Sequence, residues 1–64
     1  MDIQVNNQGT IILLTIMSEK GKKWINKHLQ TEPWQWYGPS LAIDHRMAAP
    51  ILEGMRDDGL ELGE

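Results

Sequence analysis

The densest run of ionisable side chains in this sequence is Asp44, His45 and Arg46. A histidine next to a carboxylate can serve as a general acid or base, but it needs a nucleophile or a second acid within hydrogen-bonding reach. No motif in the chain supplies such a group. We therefore favour a structural role for this polar cluster, in which Asp44 caps a helix while His45 and Arg46 lie exposed or pair with carboxylates of that helix.

Metal binding is the second chemistry that these residue types could support. The chain has no cysteine and two histidines, and His28 lies 17 residues before His45. No pair of candidate ligands has the spacing of a helical or loop metal site. We predict no metal, no cofactor and no catalysis. The enzymatic alternative is a minimal hydrolase in which Asp44 and His45 complete an active site between subunits.

Three of the four aromatic residues are clustered in one short segment, as Trp34, Trp36 and Tyr37. We expect the two tryptophans to point to opposite sides, so that one closes the core and the other faces outward. An outward tryptophan beside a tyrosine is typical of the anchors of protein interfaces. Stacking on unpaired bases is disfavoured because residues 31–43 contain no basic side chain. We predict that these three residues bind a partner, and core packing is the alternative.

A row of lysines, Lys20, Lys23 and Lys27, is expected along one side of the first helix. Such a row is usually a solvated face, and it is our candidate for electrostatic contact with an acidic protein surface. Contact with phosphates is the alternative. The net charge of −3 and the pI near 5.2 argue against nucleic-acid binding.

The N-terminal part of the chain predicts a β-hairpin. Ile3 and Val5 alternate with polar residues, and residues 6–9 contain asparagine and glycine, which tolerate positive φ. Residues 10–17 are almost continuously apolar and rich in β-branched side chains, which indicates a strand covered on both faces or central in the sheet. We place this strand at the centre of the sheet.

A helix should follow, starting after Ser18 and running to about residue 29. The Ser18 hydroxyl can accept a hydrogen bond from a free amide of the first turn. At about 100° per residue, one face of this helix collects the predicted core residues: Gly21, Trp24, Ile25, His28 and Leu29. Glycine within a helix lowers its stability by about 1 kcal/mol relative to alanine, so we expect a neighbouring backbone to pass close to Gly21.

A third strand is predicted at residues 41–43, followed by a second helix with Asp44 as its cap. One face of this helix collects Met47, Ile51, Leu52 and Met55. Pro50 falls where an amide donor is normally required. We therefore expect a loose or kinked first turn, or a start nearer Met47.

Gly59 is expected to end the second helix in the left-handed conformation, with Leu60 folding back over the last turn. Residues 60–62 then form a short final strand. The order ββαβαβ predicts an α+β fold of two layers, in which two helices pack on one face of a three- or four-stranded mixed sheet. We expect residues 1–64 to form a single domain.

The size of the chain bounds its stability and its location. At 64 residues it lies near the lower limit for a domain that folds alone, and it has no cysteine for disulfides, so packing or self-association must stabilise it. Its longest apolar run is far shorter than the roughly 20 residues of a membrane span, and the N-terminus lacks a secretion signal. We expect a cytoplasmic protein without a membrane segment.

Several short segments of the sequence carry a resemblance to other proteins. They are residues 36–38 and 41–46, the pair Gly54 and Met55, and residues 58–60. Over nearly its whole length the chain resembles short uncharacterised proteins encoded by phages and prophages. The shared motifs are structural: a strand, a capped helix and a glycine stop. Pro50 departs from the pattern. The resemblance implies an origin in a mobile element and carries no activity or site residue with it.

These observations predict a small non-catalytic accessory protein of the phage type that binds another protein. Its partner is unidentified; a host protein that it inhibits is one candidate, and a homodimer is a second arrangement. The alternative is a nucleic-acid-binding module that uses the lysine row of the first helix.

Overall fold

The architecture is a mixed five-stranded sheet with two helices, in a computed structural model that describes residues 1–64. In chain order the elements are β1 (Ile3–Asn7), β2 (Ile11–Ile16), α1 (Glu19–His28), a 3-10 turn (Pro33–Gln35), β3 (Trp36–Tyr37), β4 (Ser40–Asp44), α2 (His45–Asp57) and β5 (Leu62–Gly63). The predicted α+β class is therefore confirmed.

The strands lie in the order β3-β4-β2-β1-β5, so β2 is the central strand, as predicted. β5 runs parallel to β1, and all other neighbours are antiparallel. The predicted order ββαβαβ and the count of three or four strands were wrong, because β3 was missed. β3 is two residues long, and a turn at Gly38 and Pro39 joins it to β4. Gly38 has a φ of 59°, which suits the first position of a type II′ turn.

The core lies between one face of the sheet and both helices. Leu14 of β2 is opposite Val5 of β1 and Leu41 of β4, and these three side chains point toward the helices. Ile25 of α1 and Met55 of α2 belong to the same core cluster. Because both helices reach this cluster, they cover the same face of the sheet.

α1 begins at the predicted cap and lies against the N-terminus of the chain. The Ser18 hydroxyl accepts a hydrogen bond from the Gly21 amide at 3.0 Å and donates one to the Asp2 carboxylate at 2.6 Å. A Cβ atom on Gly21 would lie 2.7 Å from the Asp2 carbonyl oxygen. The expected close approach of a neighbouring backbone is therefore confirmed.

α2 begins at His45, and the Asp44 carboxylate accepts from the Arg46 amide at 2.9 Å. Because the helix starts at His45 and contains Pro50, the expected start nearer Met47 was wrong. Met47 is also 57% exposed, and Ala48 is buried in its place. The cap at Asp44 fixes the first turn, and position 48 has the helical spacing from the buried Met55 that core packing requires.

α2 ends as predicted, in a Schellman motif. Gly59 has a φ of 86°, its amide donates to the Arg56 carbonyl, and the Leu60 amide donates to the Met55 carbonyl. Leu60 is buried over the last turn. Neither helix combines the length and the apolar character that crossing a bilayer requires.

Candidate partner-binding surface

The face of the sheet that points away from the helices is covered by no other element, and we call it the open face. Side chains alternate along a strand, so the outward positions follow from the pairing register. These positions are Gln4, Asn6, Ile11, Leu13, Thr15, Tyr37, Ser40 and Ala42. Apart from Asp44 at the end of β4, none of the outward positions of β1 to β4 carries a charge.

Trp34 and Tyr37 are the large exposed aromatic residues at the open face. Trp34 is 75% exposed and Tyr37 is 66% exposed. The two rings, with Ile11, Ala42 and Asp44, line a shallow depression of about 340 Å³. Tyr37 lies beside Ser40 and the Gln35 amide contacts Ala42, so the chain places Trp34 and Tyr37 on either side of Ala42.

Trp36 lies on the other side of the sheet from these two rings. It is half-buried, packs against the core cluster, and its indole N–H donates to the Thr31 hydroxyl at 3.0 Å. The two tryptophans do point to different sides, but the reason is the 3-10 turn, because residues i and i+2 of a continuous strand would share a face. Of the three predicted binding residues, the structure brings Trp34 and Tyr37 to one surface.

Gln35 holds the turn that presents Trp34. Its amide donates to the Glu32 carbonyl at 2.9 Å, and its side-chain oxygen accepts from the Glu32 amide at 2.8 Å. Its side-chain nitrogen also donates to the Ala42 carbonyl at 3.2 Å. The turn is thus tied to itself and to β4, which positions Trp34 before any partner binds.

The polar cluster of Asp44, His45 and Arg46 lies at the margin of the open face, and its side chains mainly contact one another and the neighbouring backbone. Asp44 accepts two hydrogen bonds from the Arg46 guanidinium, at 3.2 and 3.0 Å. These side-chain bonds, together with the one from the Arg46 amide, lower the pKa of Asp44 from 3.8 to about 2, and the same pair raises the pKa of Arg46. This geometry is that of a helix cap with an ion pair.

The two histidines lie at opposite ends of α2. His45 Nδ1 is 3.1 Å from the Thr10 carbonyl oxygen, whereas His28 Nε2 is 3.5 Å from Asp58 Oδ2 at the other end. Thirteen helical residues separate these ends by about 20 Å. No group of three or more potential ligand side chains is placed to hold a metal ion. The structure therefore does not bring His28 and His45 together.

The lysine row is divided by a contact between the helices. Lys20 Nζ donates to the Gly59 carbonyl at the end of α2, at 2.9 Å. Lys23 and Lys27 are exposed and take part in none of the four ion pairs of the protein. Lys20 therefore contributes to the packing of the helix ends, and only the other two lysines remain free for contact.

The residues that sequence reasoning missed are the outward positions of β2 and β4: Ile11, Leu13 and Ala42. The apolar run of β2 was interpreted as a strand covered on both faces or central in the sheet. It is central, but Ile11 is 40% exposed because no second layer covers that side. The available signal was that five of the six residues of β2 are apolar, while the chain has only two helices, too few to cover both faces of a sheet.

Comparison with protein-family models, with curated proteins and with solved structures finds no match for this chain. The resemblance to phage and prophage proteins therefore remains a prediction from the sequence.

Proposed function

We propose that this protein acts by binding another protein through the open face, with no catalysis of its own. The observation that supports this proposal is the pair of exposed rings, Trp34 and Tyr37, beside the outward residues of β2 and β4. Aromatic side chains placed around an apolar depression are the usual anchors of protein interfaces.

The charge pattern also favours a protein partner over nucleic acid. The outward positions of the strands are uncharged except for Asp44, which is already paired with Arg46. A nucleic-acid surface would instead need basic side chains that alternate with the rings. An accessory role of the phage type, with a host protein as the target, is part of this proposal and rests on the sequence resemblance alone.

The binding experiment compares three immobilised proteins against lysate of the source cells: wild type, Trp34→Ala with Tyr37→Ala, and Lys23→Glu with Lys27→Glu. We expect a protein that the wild type and the lysine variant capture equally and that the aromatic variant loses by about 30-fold or more. Equal capture by the wild type and the aromatic variant would overturn the proposed role of the open face.

The lysine variant also tests the second candidate, a nucleic-acid-binding module. Lys23 and Lys27 support this candidate because both are exposed and outside the ion pairs. Such binding should weaken steeply with added salt and disappear in Lys23→Glu with Lys27→Glu. Fluorescence anisotropy with single-stranded and double-stranded oligonucleotides at low and high salt distinguishes this module from the protein-binding role.

A further inference from the structure

We propose that the occupant of the open face is a second copy of this chain, bound sheet on sheet about a two-fold axis that passes over Ala42. This inference rests on the proposed function and identifies its partner. In this dimer Trp34 of each copy packs against Tyr37 of the other.

The first argument is the arrangement of the rings. Tyr37 lies beside Ser40, and Trp34 lies in the 3-10 turn next to Gln35, whose side chain contacts the Ala42 carbonyl; both rings line the depression that contains Ala42 and Asp44. Along the direction of β4, Ala42 therefore lies between the Trp34 ring and the Tyr37 ring. A two-fold axis across the strands at Ala42 exchanges these two positions, so each exposed ring meets the other ring of the partner. Offset or edge-to-face pairs of this kind are favourable beyond their buried area.

The second argument is charge. In a two-fold interface each patch meets itself, so a charged patch would repel its own copy. The strand positions of the open face between Gln4 and Ala42 are uncharged, although the whole chain has a net charge of −3. Asp44 lies at one end of the open face, so the two-fold axis places it far from Asp44 of the second copy. Its charge is also already paired with Arg46.

The third argument is satisfied polar groups. Thr15 and Ser40, which are neighbours on the open face, share a hydrogen bond of 2.7 Å between their hydroxyls. Covering this pair leaves each hydroxyl with one hydrogen-bond partner, and one of the two O–H groups remains available to donate across the interface. The central outward residues, Leu13 and Ala42, are apolar and contribute no such requirement.

The available area sets the strength of the dimer. Strands about 4.8 Å apart with a rise of about 3.4 Å per residue give the open face dimensions of about 20 by 17 Å. Each face therefore has a flat area of about 340 Å², so two faces cover about 700 Å² before the projecting rings are added, which is the size of a weak, transient interface. We therefore expect a dimer that dissociates on dilution into the micromolar range.

The chain contains no cysteine, so a single introduced thiol reports its distance from the symmetry axis. We expect Ala42→Cys to form a covalent dimer with a thiol-reactive crosslinker that spans about 10 Å, the separation of packed sheets. The matched control is Glu53→Cys, exposed on α2 on the far side of the sheet, which should form no covalent dimer with the same crosslinker.

Sedimentation of the full chain from about 1 µM to about 300 µM measures the same association without a crosslinker. Trp34→Ala should weaken self-association by about 30-fold, and added salt should change it little. Circular dichroism of each variant verifies that the fold is retained, as expected for residues this exposed.

A wild-type monomer at every concentration would overturn the dimer, as would equal crosslinking of Ala42→Cys and Glu53→Cys. Neither result would affect capture of a different protein through Trp34 and Tyr37, which tests the proposed function separately. Self-association that survives both aromatic substitutions would place the interface on another surface and also overturn the inference.

Discussion

At the scale of single residues, Gly21 shows how one missing side chain allows α1 to approach the N-terminus. Alanine is the better helix former by about 1 kcal/mol, yet its Cβ would lie 2.7 Å from the Asp2 carbonyl oxygen and 2.9 Å from Ile3 Cδ1. We expect Gly21→Ala to lower the free energy of unfolding by about 1 to 2 kcal/mol, because the overpacking outweighs the helix propensity.

Urea denaturation measures this change, and Gly54→Ala is its control. A Cβ on Gly54 would lie 3.4 Å from the Trp24 ring, which is an ordinary contact, so the gain in helix propensity should leave that variant as stable as the wild type or more so. A Gly21→Ala protein that unfolds at a higher urea concentration than the wild type would contradict the close approach.

Asp44 is the residue whose ionisation should affect stability most clearly in acid. Its pKa is about 2 in the folded protein and 3.8 in the reference state. The ionised form is therefore favoured by folding, so its contribution is present above about pH 4 and is lost as the pH falls toward 2. Asn at this position can still cap α2 but cannot ionise.

Thermal unfolding of wild type and Asp44→Asn at pH 6 and pH 2.5 tests this linkage. We expect the wild type to have the higher melting temperature at pH 6 and the difference to shrink at pH 2.5. Asp2 titrates in the same direction, since hydrogen bonds from the Glu61 amide and Ser18 lower its pKa, but it is common to both proteins. A difference independent of pH would exclude the ion pair with Arg46 as the cause.

At the scale of elements, α2 remains helical from His45 to Asp57 although it contains Pro50. Pro50 has no amide to donate to the Arg46 carbonyl, and its ring crowds that carbonyl. Pro50→Ala restores a backbone amide that can donate a hydrogen bond, at an exposed position. Removing the proline also makes the unfolded chain more flexible, which offsets part of the gain in stability. We expect the free energy of unfolding to rise by about 1 kcal/mol.

Chemical denaturation of Pro50→Ala beside Glu53→Ala, an exposed substitution in the same helix, isolates the effect of the proline. The Glu53 variant should lie within about 0.5 kcal/mol of the wild type. A loss of stability in Pro50→Ala would mean that the rigidity that proline gives the unfolded chain outweighs the missing hydrogen bond in the second turn of α2.

At the scale of the whole molecule, the layer arrangement decides which indoles meet the solvent. Trp34 is 75% exposed, whereas Trp24 and Trp36 are half-buried with their indole N–H groups bonded to Asp58 and Thr31. We expect iodide to quench mainly the Trp34 fluorescence in dilute protein. Trp34→Phe should therefore remove most of the quenchable emission.

Iodide quenching measured over a range of protein concentrations tests whether the proposed dimer covers Trp34. Quenching of the wild type should fall as the concentration rises, because the second copy covers Trp34, and Trp34→Phe should show no such change. Wild-type quenching that is constant across the range of self-association would place Trp34 outside the interface.

The features that the sequence determined by itself depend on contacts between residues close in the chain. Ser18 and Asp44 cap the two helices, and Gly59 with Leu60 ends the second one, because each motif is completed within a few residues. The continuous apolar run of β2 likewise predicted its central place in the sheet. These local patterns also defined the α+β class.

The features that only the tertiary structure decided depend on which face of the sheet the helices cover and on contacts between residues far apart in the sequence. β3 exists because two residues pair with β4, which no periodicity can reveal in so short a segment. The contact of Lys20 with Gly59 spans 39 residues of sequence. The exposure of Trp34, Tyr37 and Ile11 follows from both helices covering one face of the sheet, because the side of a sheet on which a helix packs is set by the whole topology and not by the residues of the strand.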